Sequence, residues 1–303
     1  MPPTSNTQTI SYLAKRFSEA GIRLNTRHGQ NFLIEGNLLR LLVDRAALDQ
    51  RDVVFEVGTG TGALTDLMAP LAGAVVSVEI DHQLHQLARE ELIAHPNVTL
   101  LRADALKNKS NLNPDVVAEV ERQLAVHDAR RLKLVANLPY NVATPVIANL
   151  LSSTIVPAAM TVTVQKEVAD RMVATPGSKD YGALSVWIQC QCRTEIVRTL
   201  APSVFWPRPK VTSAIIHLEV DRPRRDAIAD LAFFHDFVRS MFLHRRKFLR
   251  GVMLSTYSGR LDKPQVDEIL AALDLRGEIR AEQLDVPAFL RLAAAVQSAL
   301  PPE

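Results

Sequence analysis

The chain has very little cysteine. Cys190 and Cys192 are the only two in 303 residues, spaced C-x-C with no second pair and no histidine cluster nearby. That excludes a disulfide framework and argues against zinc, so both thiols read as packing residues and no metal is expected. No run approaches the ~20 apolar residues that span a bilayer, so no membrane association is expected. Residues 1–6, Met-Pro-Pro-Thr-Ser-Asn, lack the apolar core of a signal peptide, and a cytoplasmic protein is expected. Net charge is also nearly absent, at +2. The chain is no polycation, so any nucleic-acid binding must come from local basic patches. There is no internal repeat and no low-complexity tract.

What is present is ordinary for a soluble enzyme: 47% hydrophobic and 22% charged residues, in a length that suits one large α/β domain and a smaller one. Apolar runs at 53–57, 74–79, 98–101, 132–136 and 161–164 read as strands. Helical patterns at 63–70, 83–94 and 145–151 lie between them. This alternation predicts a doubly wound, mainly parallel sheet. Segment 106–131 is too long for a bare loop. Pro114 followed by Val116, Val117, Val120 and Leu124 predicts an inserted helix there.

A strand at 213–220 ends the alternation, and Asp221-Arg222-Pro223-Arg224-Arg225 reads as a linker. Beyond it the pattern is helical, at 227–241, 245–255, 264–273 and 287–300. At the other end, a helix at 10–20 puts Leu13 and Phe17 on one side. Lys15, Arg16, Arg23 and Arg27 are opposed only by Glu19. The expected divisions are a basic arm and helix (1–24), an α/β domain (25–221) and a helical RNA-substrate domain (222–303).

Gly58, Gly60 and Gly62 follow the first strand and precede a helix. Glycines there permit a tight turn and let a ligand approach the backbone, and the helix start favours a negative group. Glu79 ends the next strand, where a carboxylate can accept hydrogen bonds from both hydroxyls of a ribose. These features alone leave a nicotinamide dinucleotide and S-adenosylmethionine open. Asp104, after the third strand, can accept a hydrogen bond from an adenine amino group, although an Asp there is also a common helix cap.

The next motif favours S-adenosylmethionine. Asn137-Leu138-Pro139-Tyr140 follows the run 132–136, at the end of a buried strand. The Asn137 side-chain oxygen and the Leu138 carbonyl can each accept one N–H of an exocyclic amine. That localises the nitrogen lone pair, with charge met by preorganised dipoles. Pro139 removes a donor and stiffens the turn. Tyr140 offers a ring on which the base stacks, once the base is out of its own stack. Phe205, in the proline-rich stretch 202–211, reads as a second stacking ring. A dehydrogenase has no use for this motif, and methyl transfer to the amino nitrogen of a nucleobase is expected.

Further segments extend the pattern: His28-Gly29-Gln30-Asn31-Phe32-Leu33, Gln165-Lys166-Glu167-Val168, Tyr181-Gly182-Ala183-Leu184-Ser185-Val186, Pro207-Arg208-Pro209-Lys210-Val211 and Arg245-Arg246-Lys247. With Glu56-Val57-Gly58-Thr59-Gly60, Val78-Glu79-Ile80-Asp81, Asp104-Ala105 and Asn137-Leu138-Pro139-Tyr140-Asn141, the chain resembles the small-subunit ribosomal RNA adenine dimethyltransferases of the KsgA type. The resemblance runs from about residue 25 to the end, with 106–131 outside the usual pattern. It implies a Rossmann-like class I S-adenosylmethionine-dependent methyltransferase sheet with a small C-terminal all-helical domain. It places Gln30, Asn31, Leu33, Gly58, Gly60, Glu79, Asp104, Ala105 and Asn137 at the cofactor. It implies N6,N6-dimethylation of two adjacent adenines in the 3′-terminal hairpin loop of small-subunit ribosomal RNA, within an immature small subunit. A monomer is expected.

Several positions depart from the family pattern. Thr212 stands where the family has Asp, His28 replaces a common Phe, and Trp206 and Arg208 are unusual. These touch substrate detail more than reaction type. Arg239, Arg245, Arg246, Lys247 and Arg250, opposed only by Asp236, are expected to meet RNA phosphates. Two rivals stand beside this reading. One is an Erm-type methyltransferase of large-subunit ribosomal RNA, which generally lacks the Gln-Lys-Glu-Val and Tyr-Gly-x-Leu-Ser-Val segments. The other is a ribosome-assembly factor that binds RNA with little catalytic role.

Overall fold

Residues 10–19, 21–22 and 30–301 are described in the computed structural model; Arg23, Arg27 and His28 lie outside them. Helix α1 (Ile10–Glu19) buries Leu13 and Phe17, four apart and so on one face. The Phe17 ring meets Phe32 edge-on at 5.4 Å and Trp206 at 5.6 Å. Trp206, one of the departures, thus serves as packing for α1. Strand β1 (Phe32–Leu33) leads into α2 (Gly36–Ala46), whose buried Leu38, Leu39, Leu42, Val43 and Ala46 form one stripe.

The alternation follows: β2 (Asp52–Val57), α3 (Ala63–Met68), β3 (Ala74–Glu79), α4 (His82–Glu91) and β4 (Val98–Arg102). Segment 106–131 holds a short ladder, β5 (Leu106–Asn108) with β6 (Asn111–Leu112), and then α5 (Pro114–Leu124). Asn113 caps α5 by accepting the Asp115 N–H, and proline opens its first turn. Helix α5 packs on β2 and β3 through buried Val116 and Val120. It is therefore the crossover that a parallel β4-to-β7 connection requires, which gives the inserted helix a structural purpose.

Strand β7 (Arg131–Asn137), α6 (Ala143–Ser152), β8 (Ala159–Gln165), α7 (Lys166–Val173) and α8 (Ala183–Gln189) come next. Strands β9 (Cys192–Leu200), β10 (Phe205–Trp206) and β11 (Ser213–Val220) end this part. The sheet order is β4-β3-β2-β7-β8-β11-β9. Strands β2, β3, β4, β7 and β8 are mutually parallel neighbours, and β11 runs antiparallel to β8. Strands β2, β3 and β7 are buried almost throughout, which explains their continuous apolar sequence. From β2 the chain steps outward to β3 and β4, and from β7 it steps the other way. The carboxyl ends of β2 and β7 thus flank a switch point, where such sheets open a ligand crevice.

Two compact units emerge. One gathers the described residues up to Ala169 with Glu195–Glu219; the other gathers Asp170–Thr194 with the described residues from Val220 on. Segment 170–194, which the sequence pattern left in the α/β domain, belongs to the second unit. Tyr181 explains this: its buried hydroxyl donates to the Leu284 carbonyl at 2.8 Å. The expected linker is a short helix, α9 (Arg222–Asp226), capped by Asp221. Helices α10 (Leu231–Phe242), α11 (Leu249–Thr256), α12 (Lys263–Ala272) and α13 (Val286–Ala299) complete this unit. Asp230, Asp262 and Asp285 cap α10, α12 and α13. Phe237, Met241, Val266, Phe289 and Leu292 are buried in it.

Both cysteines are free and buried, and burial pushes the Cys192 thiol up to about 12. Among the described residues no helix is long and apolar enough to cross a membrane, and no acidic, histidine or cysteine cluster could hold a metal.

Candidate active site

Three glycines open the crevice. Gly58, Gly60 and Gly62 follow β2 with φ of 86°, 59° and 85°, left-handed values that favour glycine. Space is also tight: a Cβ on Gly62 would stand 3.3 Å from the Leu92 side chain. A Cβ on Gly58 would stand 3.2 Å from the Pro139 ring, and one on Gly60 3.0 Å from the Phe32 ring.

The turn is anchored from beneath by a buried polar chain. Thr59 Oγ1 lies 2.6 Å from Ser77 Oγ, and Ser77 donates to Glu56 Oε2 at 2.6 Å. Thr65, in α3, donates to the same oxygen. Glu56 is fully buried, and desolvation pushes its carboxyl up to about 7 against those two hydrogen bonds.

Two carboxylates face the opening. Glu79, at the end of β3, accepts the Gly60 N–H on Oε2 at 2.8 Å and the Asp81 N–H on Oε1 at 2.9 Å. Burial raises its pKa, opposed by those backbone donors. Each oxygen still has a lone pair to offer a hydroxyl. Asp104 accepts the Leu106 N–H on Oδ1 at 2.9 Å, and Asn113 Nδ2 holds the Asp104 carbonyl at 2.9 Å. The side chain is thus partly committed to a local turn, and its second oxygen remains for an amino group.

Strand β7 delivers the third wall. Asn137 pairs across the sheet with Thr163, and its Nδ2 donates to the Asn31 carbonyl at 2.8 Å. A carbonyl demands a donor, which fixes the amide orientation and leaves Oδ1 as the free acceptor. The Leu138 side chain is buried and anchors the step. The Pro139 carbonyl takes the N–H groups of Val142 and Ala143, both at 3.1 Å, and turns the chain into α6. Tyr140 is half-buried, and its hydroxyl lies 2.5 Å from Ser213 Oγ. Burial raises its pKa, so the phenol stays protonated at neutral pH.

One cavity of about 350 Å³ collects these groups. Gln30, Asn31, Leu33, Gly58, Gly60, Glu79, Asp104, Ala105 and Asn137 all line it, as do Leu138, Pro139 and Tyr140. The donor and acceptor set suits S-adenosylmethionine. Glycines leave the backbone bare, Glu79 can receive a ribose diol, Asp104 can receive an adenine amine, and Ile80, Leu84 and Ala103 give apolar walls.

Phe205 does not join them. It is 2% exposed, pairs with Leu33 across β1–β10 and sits in the core with Leu39, Leu42 and Ile215. Its ring holds the floor of the domain and offers no face to a base, which corrects the expected second platform. The proline-rich spacing that made it look like an ordered loop reflects a strand edge.

The expected RNA-binding residues lie in the second unit. Arg239 is in α10, Arg250 in α11, and Arg245, Arg246 and Lys247 in the turn between. Asp236 is not their sole opposing carboxylate. Arg245 pairs with Glu282 at 2.5 Å and donates to the Lys179 carbonyl at 2.7 Å, while Arg250 pairs with Asp267. Both acids come from remote segments, beyond the reach of a local charge count. Arg239, Arg246 and Lys247 have no ion pair among the described residues. Sequence reasoning also missed Ser213 and the support beneath the glycine turn. A buried strand reading Phe-Glu-Val was the available signal for Glu56.

A profile of the ribosomal RNA adenine dimethylase family matches residues 21–292. Ribosomal RNA small subunit methyltransferase A of Alkaliphilus oremlandii (strain OhILAs) is 40% identical, over 88% of this chain and 89% of its own. The protein of the same name from Bacillus pumilus (strain SAFR-032) is 37% identical, over 90% and 91%. Among solved structures, a dimethyladenosine transferase from Plasmodium falciparum superposes with a TM-score of 0.72 at 24% identity, over 87% of this chain and 96% of that one. The 23S rRNA methyltransferase ErmE gives 0.61 at 24%, over 88% and 99%. The two structures share the fold.

Proposed function

We propose that this chain, which belongs to the ribosomal RNA adenine dimethylase family, transfers methyl groups from S-adenosylmethionine to N6 of two adjacent adenines in the 3′-terminal hairpin loop of small-subunit ribosomal RNA. The RNA is taken to be that of an immature small subunit. The observation that carries the chemistry is the Asn137–Asn31 hydrogen bond. It commits the amide nitrogen and leaves Oδ1 to accept an N6–H.

S-adenosylmethionine, when bound, supplies an electrophilic methyl on a sulfonium. The chain's own residues do the rest. Gln30, Asn31, Leu33, Gly58, Gly60, Glu79, Asp104 and Ala105 hold the cofactor, with Glu79 on the ribose and Asp104 on its adenine. Asn137 Oδ1 and the Leu138 carbonyl grip the target amine and direct its lone pair toward the methyl. After one transfer, N6 keeps a single N–H for this grip. Pro139 brings no N–H of its own into the grip. Tyr140, tethered by Ser213, supports the base face.

Curated relatives at 37–40% identity carry the small-subunit name, which favours the small subunit. The test is transfer of labelled methyl to undermethylated small and large subunits in parallel. Label on the small subunit alone is expected. Label on the large subunit alone moves the chain to the resistance-type branch, and none on either, with cofactor binding intact, leaves an assembly role.

A further inference from the structure

The turn after α10 carries an aromatic ring that stays about half exposed. Phe248 is 49% exposed, although the next residue, Leu249, is fully buried. The Leu249 N–H donates to the Ile279 carbonyl at 2.7 Å, which ties this backbone to the segment carrying Arg280. The Arg280 guanidinium lies over the Phe248 ring, 5.9 Å from its centroid. Leu243, 73% exposed, opens the same turn. Arg245 is committed to Glu282 and to the carbonyls of Ser178 and Lys179, and so pins the turn. Arg246 and Lys247 stay exposed, with no ion pair among the described residues.

A flat ring backed by a guanidinium and preceded in the chain by two cations without ion pairs among the described residues has a specific chemical complement. An acidic peptide would use the cations and leave the ring idle. A paired duplex would offer phosphates and no base face. An unpaired nucleobase with its flanking phosphates uses both, because every base has a π-face and every linkage a charge.

We propose that Phe248, backed by Arg280 and flanked in the chain by Arg246 and Lys247, is a subsite that stacks one unpaired nucleobase of the substrate RNA. The inference rests on the reading of RNA as substrate.

The experiment is a titration of the full chain with two labelled RNAs, a stem–loop with an unpaired purine loop and a fully paired duplex of equal length, across a salt series. Phe248→Ala is expected to weaken the stem–loop roughly tenfold, the scale of one base–aromatic stack, and to leave the duplex and the salt slope alone. Phe248→Trp is expected to restore the loss. Arg246→Glu with Lys247→Glu is expected to flatten the salt slope on both RNAs. Unchanged stem–loop affinity in Phe248→Ala, or an equal loss on the duplex, overturns the subsite. Methyl transfer by the unaltered protein to small subunits is measured alongside. Its absence overturns the substrate reading, and the titration decides the subsite either way.

Discussion

Asn137 Nδ2 donates to the Asn31 carbonyl at 2.8 Å, so a residue from the end of β7 is oriented by the backbone just before β1. Asn137→Ala removes both the orientation and the acceptor. Transfer is expected to fall by at least ~100-fold, the scale of one preorganised acceptor or donor, while cofactor affinity largely survives. Asn137→Asp is more discriminating. It keeps an acceptor but cannot donate, and it sets two oxygens against each other at Asn31. Activity should again drop steeply in steady-state assays; near-normal turnover by the aspartate variant would show that the Asn31 contact does not orient the grip.

Tyr140 carries two separable functions, a ring and a tether. Tyr140→Phe keeps the ring and unpairs Ser213, which is buried. A stability loss of about 1 kcal/mol is expected, with most of kcat/KM retained. Tyr140→Ala removes the stacking face, and kcat/KM should fall about tenfold or more. Thermal melts and steady-state kinetics of the pair separate the effects.

Glu79 is expected to act on binding. Glu79→Ala should weaken S-adenosylmethionine by roughly tenfold or more, given about 1.5–3 kcal/mol for a hydrogen bond to a charged group. Because burial raises its pKa, the acceptor carboxylate is lost earlier on acidification than an ordinary glutamate. Cofactor affinity should therefore fall as pH drops through that raised value. Calorimetric titration at several pH values checks both statements.

Glu56 predicts a pH dependence of stability. Its carboxyl titrates near 7 when folded, against 4.5 for an ordinary glutamate. Between those values the folded state binds more protons, so stability falls as pH rises through the window. Glu56→Gln keeps an oxygen for Thr65 and Ser77 and removes the titration. The variant's melting temperature should change less between pH 5 and pH 8 than that of the unaltered chain.

Much of this was readable in the chain because it is local. Strands β2, β3, β7 and β8 are buried apolar runs, and their register carries Gly58, Glu79 and Asn137 to one crevice. What escaped depends on tertiary partners. Strand β9 is an edge strand whose polar, partly exposed sequence Cys-Arg-Thr-Glu-Ile-Val-Arg-Thr-Leu hides its alternation. The ladder β5–β6 is too short to register as a pattern. Phe205 reads as a functional aromatic until Leu33 is seen across from it. Glu282 and Asp267 neutralise arginines that are 37 and 17 residues away.

The most direct measurement is to digest small-subunit RNA after reaction with the unaltered chain and with Asn137→Ala, and to map the modified nucleosides. Dimethyladenosine at two adjacent positions in the 3′-terminal hairpin loop, present with the first protein and missing with the second, is the expected result. Methylation elsewhere, or an equal yield from Asn137→Ala, would contradict the proposed grip on adenine N6.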